Sequence, residues 1–314
     1  MNFLAPILAL ASIITPSRQW TPPALPLTVT VKAETDSQLV LTDFEGKTIP
    51  SKAPAEFNGE KSYDLKQLWT ETAVPGTYVL YIVPKGKSVE QFEGTPLLIE
   101  VRSEHRRGMP AEAEVTRVAP LEYAVMTTDQ GPLTMVFYHD VAPITSASFL
   151  YLSRTGYYDK LTFHRIVKDF VIQGGDPKGD GTGGPGYNVQ AEFNDRKHLE
   201  GVLSMARQGD ANEAQGGMPG CEAANSAGSQ FFVCLDYANT RHLDNKYTAF
   251  GRVVQGMDAV KKIAATPLAD PQAGKPVNPP VIEKVEVKPV TAGDNPYAEM
   301  FHMKPQAGGA AAPK

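Results

Sequence analysis

Short apolar runs alternate with polar turns along most of this chain. LTVTVK (27–32), QLVLTD (38–43), TYVLYIV (77–83) and PLLIEVR (96–102) are rich in β-branched and aromatic residues. Their period of two predicts strands. PGTYVLYIV (75–83) is a turn dipeptide running into a strand, and is similar to the late strand of an immunoglobulin-like sandwich. Residues 24–102 are therefore expected to form a small β-sandwich-like domain. No cluster of ionisable residues there points to catalysis, so a spacer or docking role is expected. SEHRRGMPAEAEVTRVAP (103–120) is polar and turn-rich and is expected to be a linker.

A second pattern follows. EYAVMTT (122–128) and LTMVFY (133–138) flank DQGP, which predicts a β-hairpin. Pro143 precedes TSASFLYLSRTG (145–156), where Phe149 and Leu152 share one face and Gly156 can stop a helix. GMDAVKKIA (256–264) predicts a second short helix, and VIEKVEVKPV (281–290) a closing strand. The tail, 291–314, ends GGAAAPK and is expected to be disordered. There are no internal repeats.

Composition narrows the class. The chain has 314 residues, 42% hydrophobic and 21% charged, which is an ordinary globular balance. Its 26 prolines and 27 glycines agree with a turn-rich β protein. A net charge of −5 gives no basic footprint for nucleic acid. The one basic cluster, RSEHRRG (102–108), is read as solvated linker. Phe3–Ile14 is apolar, too short to span a bilayer and of signal-peptide length, although no Lys or Arg precedes Arg18. We read residues 1–20 as an export signal, the alternative being a buried N-terminal strand. That places the protein in the periplasm or outside the cell, or in the cytoplasm if the segment is no signal. No later segment is apolar enough for stable membrane insertion. Two cysteines, Cys221 and Cys234, make no disulfide framework.

GGDPKGDGTGGPGY (174–187) places Gly179, Gly181 and Gly184 on a G-x-G-x-x-G spacing. A dinucleotide loop would open a helix whose N-terminus holds the pyrophosphate. Pro185 and Gly186 forbid that helix, and no G-K-[ST] follows to make a P-loop. The glycines are expected to form tight turns.

With its flanks the run resembles something specific. FHRIVKDFVIQGGDPKGDGTGGPGY (163–187), LSMAR (203–207), NSAGSQFFVC (225–234) and HLDNKYTAFGRV (242–253) resemble, in order, the cyclophilin-type peptidyl-prolyl cis–trans isomerases over about residues 121–266. The resemblance implies a mainly β fold over 121–290, an eight-stranded antiparallel barrel capped by two helices. It implies substrates that are proline-containing segments of unfolded or partly folded proteins. No cofactor and no metal is expected, since rotation about an X–Pro amide changes no covalent bond. The oligomeric state is left open.

The barrier to that rotation is roughly 18–20 kcal/mol because twisting breaks amide resonance. Catalysis needs an apolar pocket for the proline ring and a fixed cation that favours the twisted state over either planar one. The resemblance makes Arg165 that cation, with Gln173 bonding the substrate backbone and Phe170 lining the proline pocket. Val171, Phe232, Leu243 and Tyr247 are implied to complete the pocket, and Ala206 and Gln230 to line the adjoining groove. His164 is read as a structural histidine. A module that holds proline segments without catalysis is the competing reading; Arg165, Phe170, Gln173 and Phe232 together favour the enzyme.

Three departures from the family pattern stand out. His242 replaces the Trp of cyclosporin-sensitive members, which implies weak cyclosporin binding. Ser148 replaces an Asn. Residues 207–225 are about a dozen residues longer than the usual connection, and their composition suggests a flexible loop beside the groove. Cys221 lies in it, either bridged to Cys234 or as a free thiol.

Overall fold

The computed structural model describes residues 12–102 and 115–298. The chain divides into two compact units, one of residues up to Leu121 together with those from Pro289 onward, the other of Glu122–Lys288.

The first unit is a single antiparallel sheet system. Its strands are β1 (Ile13–Pro16), β2 (Trp20–Thr21), β3 (Thr28–Asp43), β4 (Thr48–Ile49), β5 (Glu56–Asp64), β6 (Gly76–Pro84), β7 (Glu93–Arg102) and β8 (Val115–Pro120). The order is β1-β3-β6-β7-β8-β2, with β4 and β5 also on β3. The two runs expected at 27–32 and 38–43 are one strand. Its first half pairs with β1 and β5, and its second half with β6. Val29, Val31, Leu39 and Leu41 point inward from both halves, onto a core shared with Phe57, Leu80, Ile82, Leu97 and Ile99. α1 (Leu65–Leu68) begins on an Asp64 cap and leads into Trp69, whose indole N–H donates to the Ile49 carbonyl at 2.9 Å.

Three boundaries read from composition move. Val115–Pro120, placed in the linker, is β8 and pairs with β7 from Arg102↔Val115 to Leu97↔Pro120. Its alternation puts Thr116 and Val118 inside, which the polar character of the longer stretch 103–120 conceals. Residues 12–20, counted within the export signal, include β1 and the first residue of β2 and are part of the sheet; residues 1–11 lie outside the described residues. In the tail, Thr291 and Asp294 exchange backbone hydrogen bonds at 3.1 and 3.0 Å and Tyr297 is fully buried, so the stretch 291–298 is ordered. Residues 103–114 and 299–314 lie outside the described residues.

The second unit is the expected barrel. Its strands are β9 (Glu122–Thr128), β10 (Gly131–Phe137), β11 (Arg165–Val167), β12 (Val171–Gly174), β13 (Val202–Met205), β14 (Phe231–Cys234), β15 (Ala249–Gln255) and, after the two-stranded ribbon β16 (Leu268–Asp270) and β17 (Lys275–Pro276), β18 (Ile282–Pro289). The sheet order is β11-β12-β14-β13-β15-β10-β9-β18. Its two ends meet: Lys160 donates to the Ile282 carbonyl at 2.7 Å, Ile282 to that of Leu161 at 2.8 Å, and Phe163 to that of Pro280 at 2.9 Å. Closure of this kind leaves no free sheet edge there.

α2 (Pro143–Arg154) and α6 (Met257–Ala264) are the two helices expected. Proline at N1 suits α2, because its missing N–H is one the helix cannot satisfy. The Glu192 carboxylate accepts from the next two amides, Ile144 at 3.1 Å and Thr145 at 2.8 Å. Gly156, at φ 71°, ends the helix. α2 drives Phe149 into the barrel among Phe137, Tyr158, Phe231 and Phe250, with centroids 4.8–5.6 Å away. Truncating a ring packed in this way costs about 3–5 kcal/mol.

Candidate active site

Register sets out the site. Arg165 on β11 lies opposite Gln173 on β12, Gln173 opposite Phe232 on β14, and Phe232 opposite Ser204 on β13. The next row, Ile166, Ile172, Val233 and Leu203, points the other way and is wholly buried in the barrel core. Alternation along β11, β12 and β14 thus separates a row that faces the site from a structural inner row.

Between β11 and β12 the chain turns through Lys168 and Asp169, the latter left-handed at φ 59°. Phe170 follows, donating its N–H to the Val167 carbonyl at 3.1 Å. Its ring stacks on His242 at 5.5 Å and 15°. His242 and Leu243 sit on a 3-10 turn, Arg241–Leu243, beyond α5 (Tyr237–Thr240), which Asp236 caps. Phe232 and Tyr247 meet edge to face at 5.9 Å and 71°.

Together these side chains enclose a cavity of ≈ 210 Å³ lined by Arg165, Phe170, Val171, Gln173, Ala206, Phe232, His242, Leu243 and Tyr247, and by one further residue, Arg207. Nine of the ten site residues expected from the sequence therefore surround one space. The tenth, Gln230, lines a larger groove of ≈ 760 Å³ that shares Gln173, Ala206 and Arg207 with it. Gln230 links the two: Gln173 Nε2 donates to its Oε1 at 3.0 Å, and its own Nε2 donates to the carbonyls of Gly181 and Gly183 at 3.0 and 2.9 Å.

That last pair of bonds explains the glycine run. Asp176 Oδ1 accepts from the Lys178 amide at 2.8 Å and its Oδ2 from the Asp180 amide at 3.1 Å, winding the chain into successive turns. Gly181 adopts φ 90°, and a Cβ at Gly183 would meet Asp176 Oδ1 at 1.9 Å. The glycines bring backbone carbonyls to Gln230; no helix follows them.

The two guanidiniums in the cavity wall differ. Arg165 Nη1 donates to Gln173 Oε1 at 3.2 Å, and Arg165 forms no ion pair among the described residues. Arg207 is paired with Glu213 on both arms. The first is a half-exposed charge beside an apolar pocket, and the second is neutralised.

Arg207 was not foreseen. The LSMAR block contains it, but an arginine opening a polar insertion reads as solvated. The insertion is also more ordered than its composition suggests, with single turns α3 (Ala211–Ala214) and α4 (Cys221–Ala224). Asp210 causes this by capping α3 through the Asn212 amide at 2.6 Å and accepting from the Gly220 amide at 2.9 Å. Cys221 is an exposed free thiol and Cys234 a buried one, so the bridge left open by the sequence is not formed. Burial pushes the Cys234 thiol far up from its ordinary range.

Phe232 is supported from behind. The fully buried His198 ring stacks under it at 6.3 Å and 23°. Its Nδ1 lies 3.0 Å from Asp244 Oδ1 and its Nε2 3.0 Å from Ser204 Oγ. The spacing is that of a nucleophilic triad, but Ser204 is also fully buried and an acyl substrate has no path to it. Desolvation holds His198 below the usual histidine range, so the ring is a neutral prop. His164 is buried too and shifted the same way, first by burial, in keeping with a structural role.

The sequence model described as "Cyclophilin type peptidyl-prolyl cis-trans isomerase/CLD" matches residues 123–287, more than half of the chain. This chain belongs to the cyclophilin family. As such it is a peptidyl-prolyl cis–trans isomerase, and cyclophilins act on proline-containing polypeptides. A peptidyl-prolyl cis-trans isomerase of Synechococcus elongatus is 43% identical over 129 residues, 41% of this chain and 78% of that one. The isomerase CYP18-2 of Arabidopsis thaliana is 43% identical over 145 residues, covering 45% and 79%. A solved cyclophilin-type isomerase of Cryptosporidium parvum is 28% identical, covers 54% of this chain and 99% of its own, and has a TM-score of 0.46. The cyclophilin match lies within the barrel unit; the N-terminal β unit precedes it.

Proposed function

We propose that this cyclophilin accelerates X–Pro rotation in unfolded or partly folded chains by seating the proline ring in the ≈ 210 Å³ pocket beside Arg165. The observation that carries the reading is the guanidinium of Arg165, without an ion pair among the described residues, held by Gln173 at 3.2 Å beside the side chains of Phe170, Phe232 and Leu243.

A planar amide nitrogen is a poor acceptor, because its lone pair is delocalised into the carbonyl. As the amide twists, that lone pair localises and accepts from a guanidinium N–H placed over it. The interaction then exists almost wholly in the transition state, the condition for raising kcat. Arg suits the task because its charge is permanent and its donors are fixed in a plane. About 6–7 kcal/mol of such selective stabilisation gives a roughly 10⁵-fold acceleration. Phe170, Phe232 and Leu243 grip the ring. Gln173, already donating to Gln230, anchors the substrate backbone beside it.

A coupled peptide assay of X–Pro isomerisation tests this with wild type, Arg165→Ala and Phe170→Ala. A large loss of kcat/KM in both variants is expected. Equal, near-background rates in all three would leave only a proline-binding module.

The reading extends to export. The apolar stretch that opens the sequence leads into Ser12, whose hydroxyl donates to Glu93 Oε2 at 2.6 Å, so folded sheet begins directly after it. Cell fractionation with N-terminal sequencing tests it. An uncleaved chain confined to the cytoplasm would overturn it.

A further inference from the structure

We propose that the inserted segment acts on the proline pocket through Arg207: Glu213 holds the Arg207 guanidinium against Tyr247, so that Arg207 and Glu213 are positioning residues for the pocket wall. The inference rests on the reading of that pocket as the proline site.

Arg207 borders both the pocket and the larger groove, yet its side chain is only 2% exposed. Every donor it owns is used within the protein. Nη1 donates to Glu213 Oε2 at 2.8 Å and to the Gln208 carbonyl at 2.8 Å. Nη2 donates to Glu213 Oε1 at 2.6 Å and to the Lys246 carbonyl at 3.0 Å, and Nε points to that same carbonyl at 3.4 Å. With no donor left for a peptide, Arg207 cannot bind substrate by hydrogen bonds. What it does present is a flat face, 4.1 Å from the centroid of the Tyr247 ring. Tyr247 in turn meets Phe232 edge to face. A chain of contacts thus runs from the insertion to the centre of the pocket: Glu213, Arg207, Tyr247, Phe232.

Glu213 is held by the insertion's own architecture. It lies on α3, whose cap Asp210 also ties down Gly220 at the start of α4. Gln208 donates to Ser226 Oγ at 2.8 Å, closing the neck of the loop. The bond to Arg207 holds the Glu213 carboxyl below its ordinary range, so it is ionised at neutral pH. Removing one member of a buried ion pair leaves the other charge uncompensated. Arg207 would then turn toward water and leave the Tyr247 face bare. Lysine could not replace it, since the site uses two parallel bonds and a planar stack at once.

Loss of a pocket wall weakens ground state and transition state alike, which raises KM and leaves kcat. The test is steady-state kinetics of the full chain on an X–Pro tetrapeptide. Glu213→Gln is expected to raise KM about fivefold, part of the value of a desolvated cation–π contact, with kcat within about twofold. In a Tyr247→Ala background the same change should have less than about a twofold effect, because the contact it acts through is gone. If Glu213→Gln does not fold, judged by its thermal transition, Glu213→Asp, which pulls the carboxylate back by one methylene, reads the same split. An unchanged KM, or an equal loss in the Tyr247→Ala background, overturns the inference. Arg165→Ala is run alongside. If it is inactive while the coupling is absent, only the positioning role fails; if it is fully active, the pocket assignment fails and takes this inference with it.

Discussion

Arg165 and Gln173 face each other across the β11–β12 ladder, and the guanidinium donates to the amide oxygen at 3.2 Å. Gln173 Nε2 is already committed to Gln230, so its oxygen faces Arg165 and the chain of bonds has one polarity. In the proposed mechanism Gln173 both aims the guanidinium and anchors substrate. Arg165→Lys keeps the charge but loses the fork, and should lower kcat/KM roughly a hundredfold, the value of a charged hydrogen bond of about 2–3 kcal/mol. Gln173→Glu should place a carboxylate on Arg165 and neutralise it. A kcat fall as large as that of Arg165→Lys is expected in the peptide assay, and wild-type kcat in Gln173→Glu would refute the free-cation reading.

His242 stacks on Phe170 at 5.5 Å, in the position that the family resemblance assigns to the tryptophan of cyclosporin-sensitive members. Its small ring covers less of the pocket rim and has no indole N–H. Cyclosporin should inhibit weakly, and His242→Trp should tighten inhibition at least about tenfold, from added apolar area and one hydrogen bond. Peptide turnover should change by less than about threefold. Titrating inhibition of both proteins checks this, and nanomolar inhibition of the wild type would contradict it.

The barrel was legible because its first hairpin and its closing strand carry a strand pattern and its site blocks lie in sequence order. Arg165 and Gln173, eight residues apart, were expected to cooperate, and the β11–β12 register places them opposite each other. What was hidden had a physical reason in each case. β5, EFNGEKSYD, buries only Phe57 and Tyr63 among its large apolar side chains and carries Gly59 at φ 75°, so its period is faint. β3 reads as two strands because ETDS at 34–37 is polar, although Ser37 is buried and pairs with Phe57. Arg207 and Glu213 are charged residues in a glycine-rich stretch, and such residues are usually solvated. Only the closed neck of the loop brings them under Tyr247.

The two thiols should behave differently. Cys221 is exposed on α4, whereas Cys234 lies in β14 with its thiol pushed up by burial. The thiolate is the reactive form, so Cys234 should be inert in the folded protein. A thiol reagent should label one cysteine under native conditions and two in denaturant without reductant. A count of zero in denaturant would mean that a bridge forms after all.

Acid sensitivity follows from the prop beneath Phe232. Burial lowers the pKa values of His198 and His164 from the ordinary histidine value. The unfolded chain therefore binds more protons than the folded one between the lowered folded values and about 6.5. Stability from these two rings is complete above about 6.5 and is lost as pH falls through the window toward the folded values. Each can contribute up to about 1.4 kcal/mol per pH unit inside it. Carboxylates with depressed values, Asp244 among them, lose their contribution only at lower pH. The urea midpoint should thus fall between pH 7 and pH 5, before the carboxylates titrate. His164→Gln removes one of the two groups and should flatten that fall while leaving the remaining slope to His198. A midpoint independent of pH over this range in the wild type would show that neither ring resists protonation in the fold.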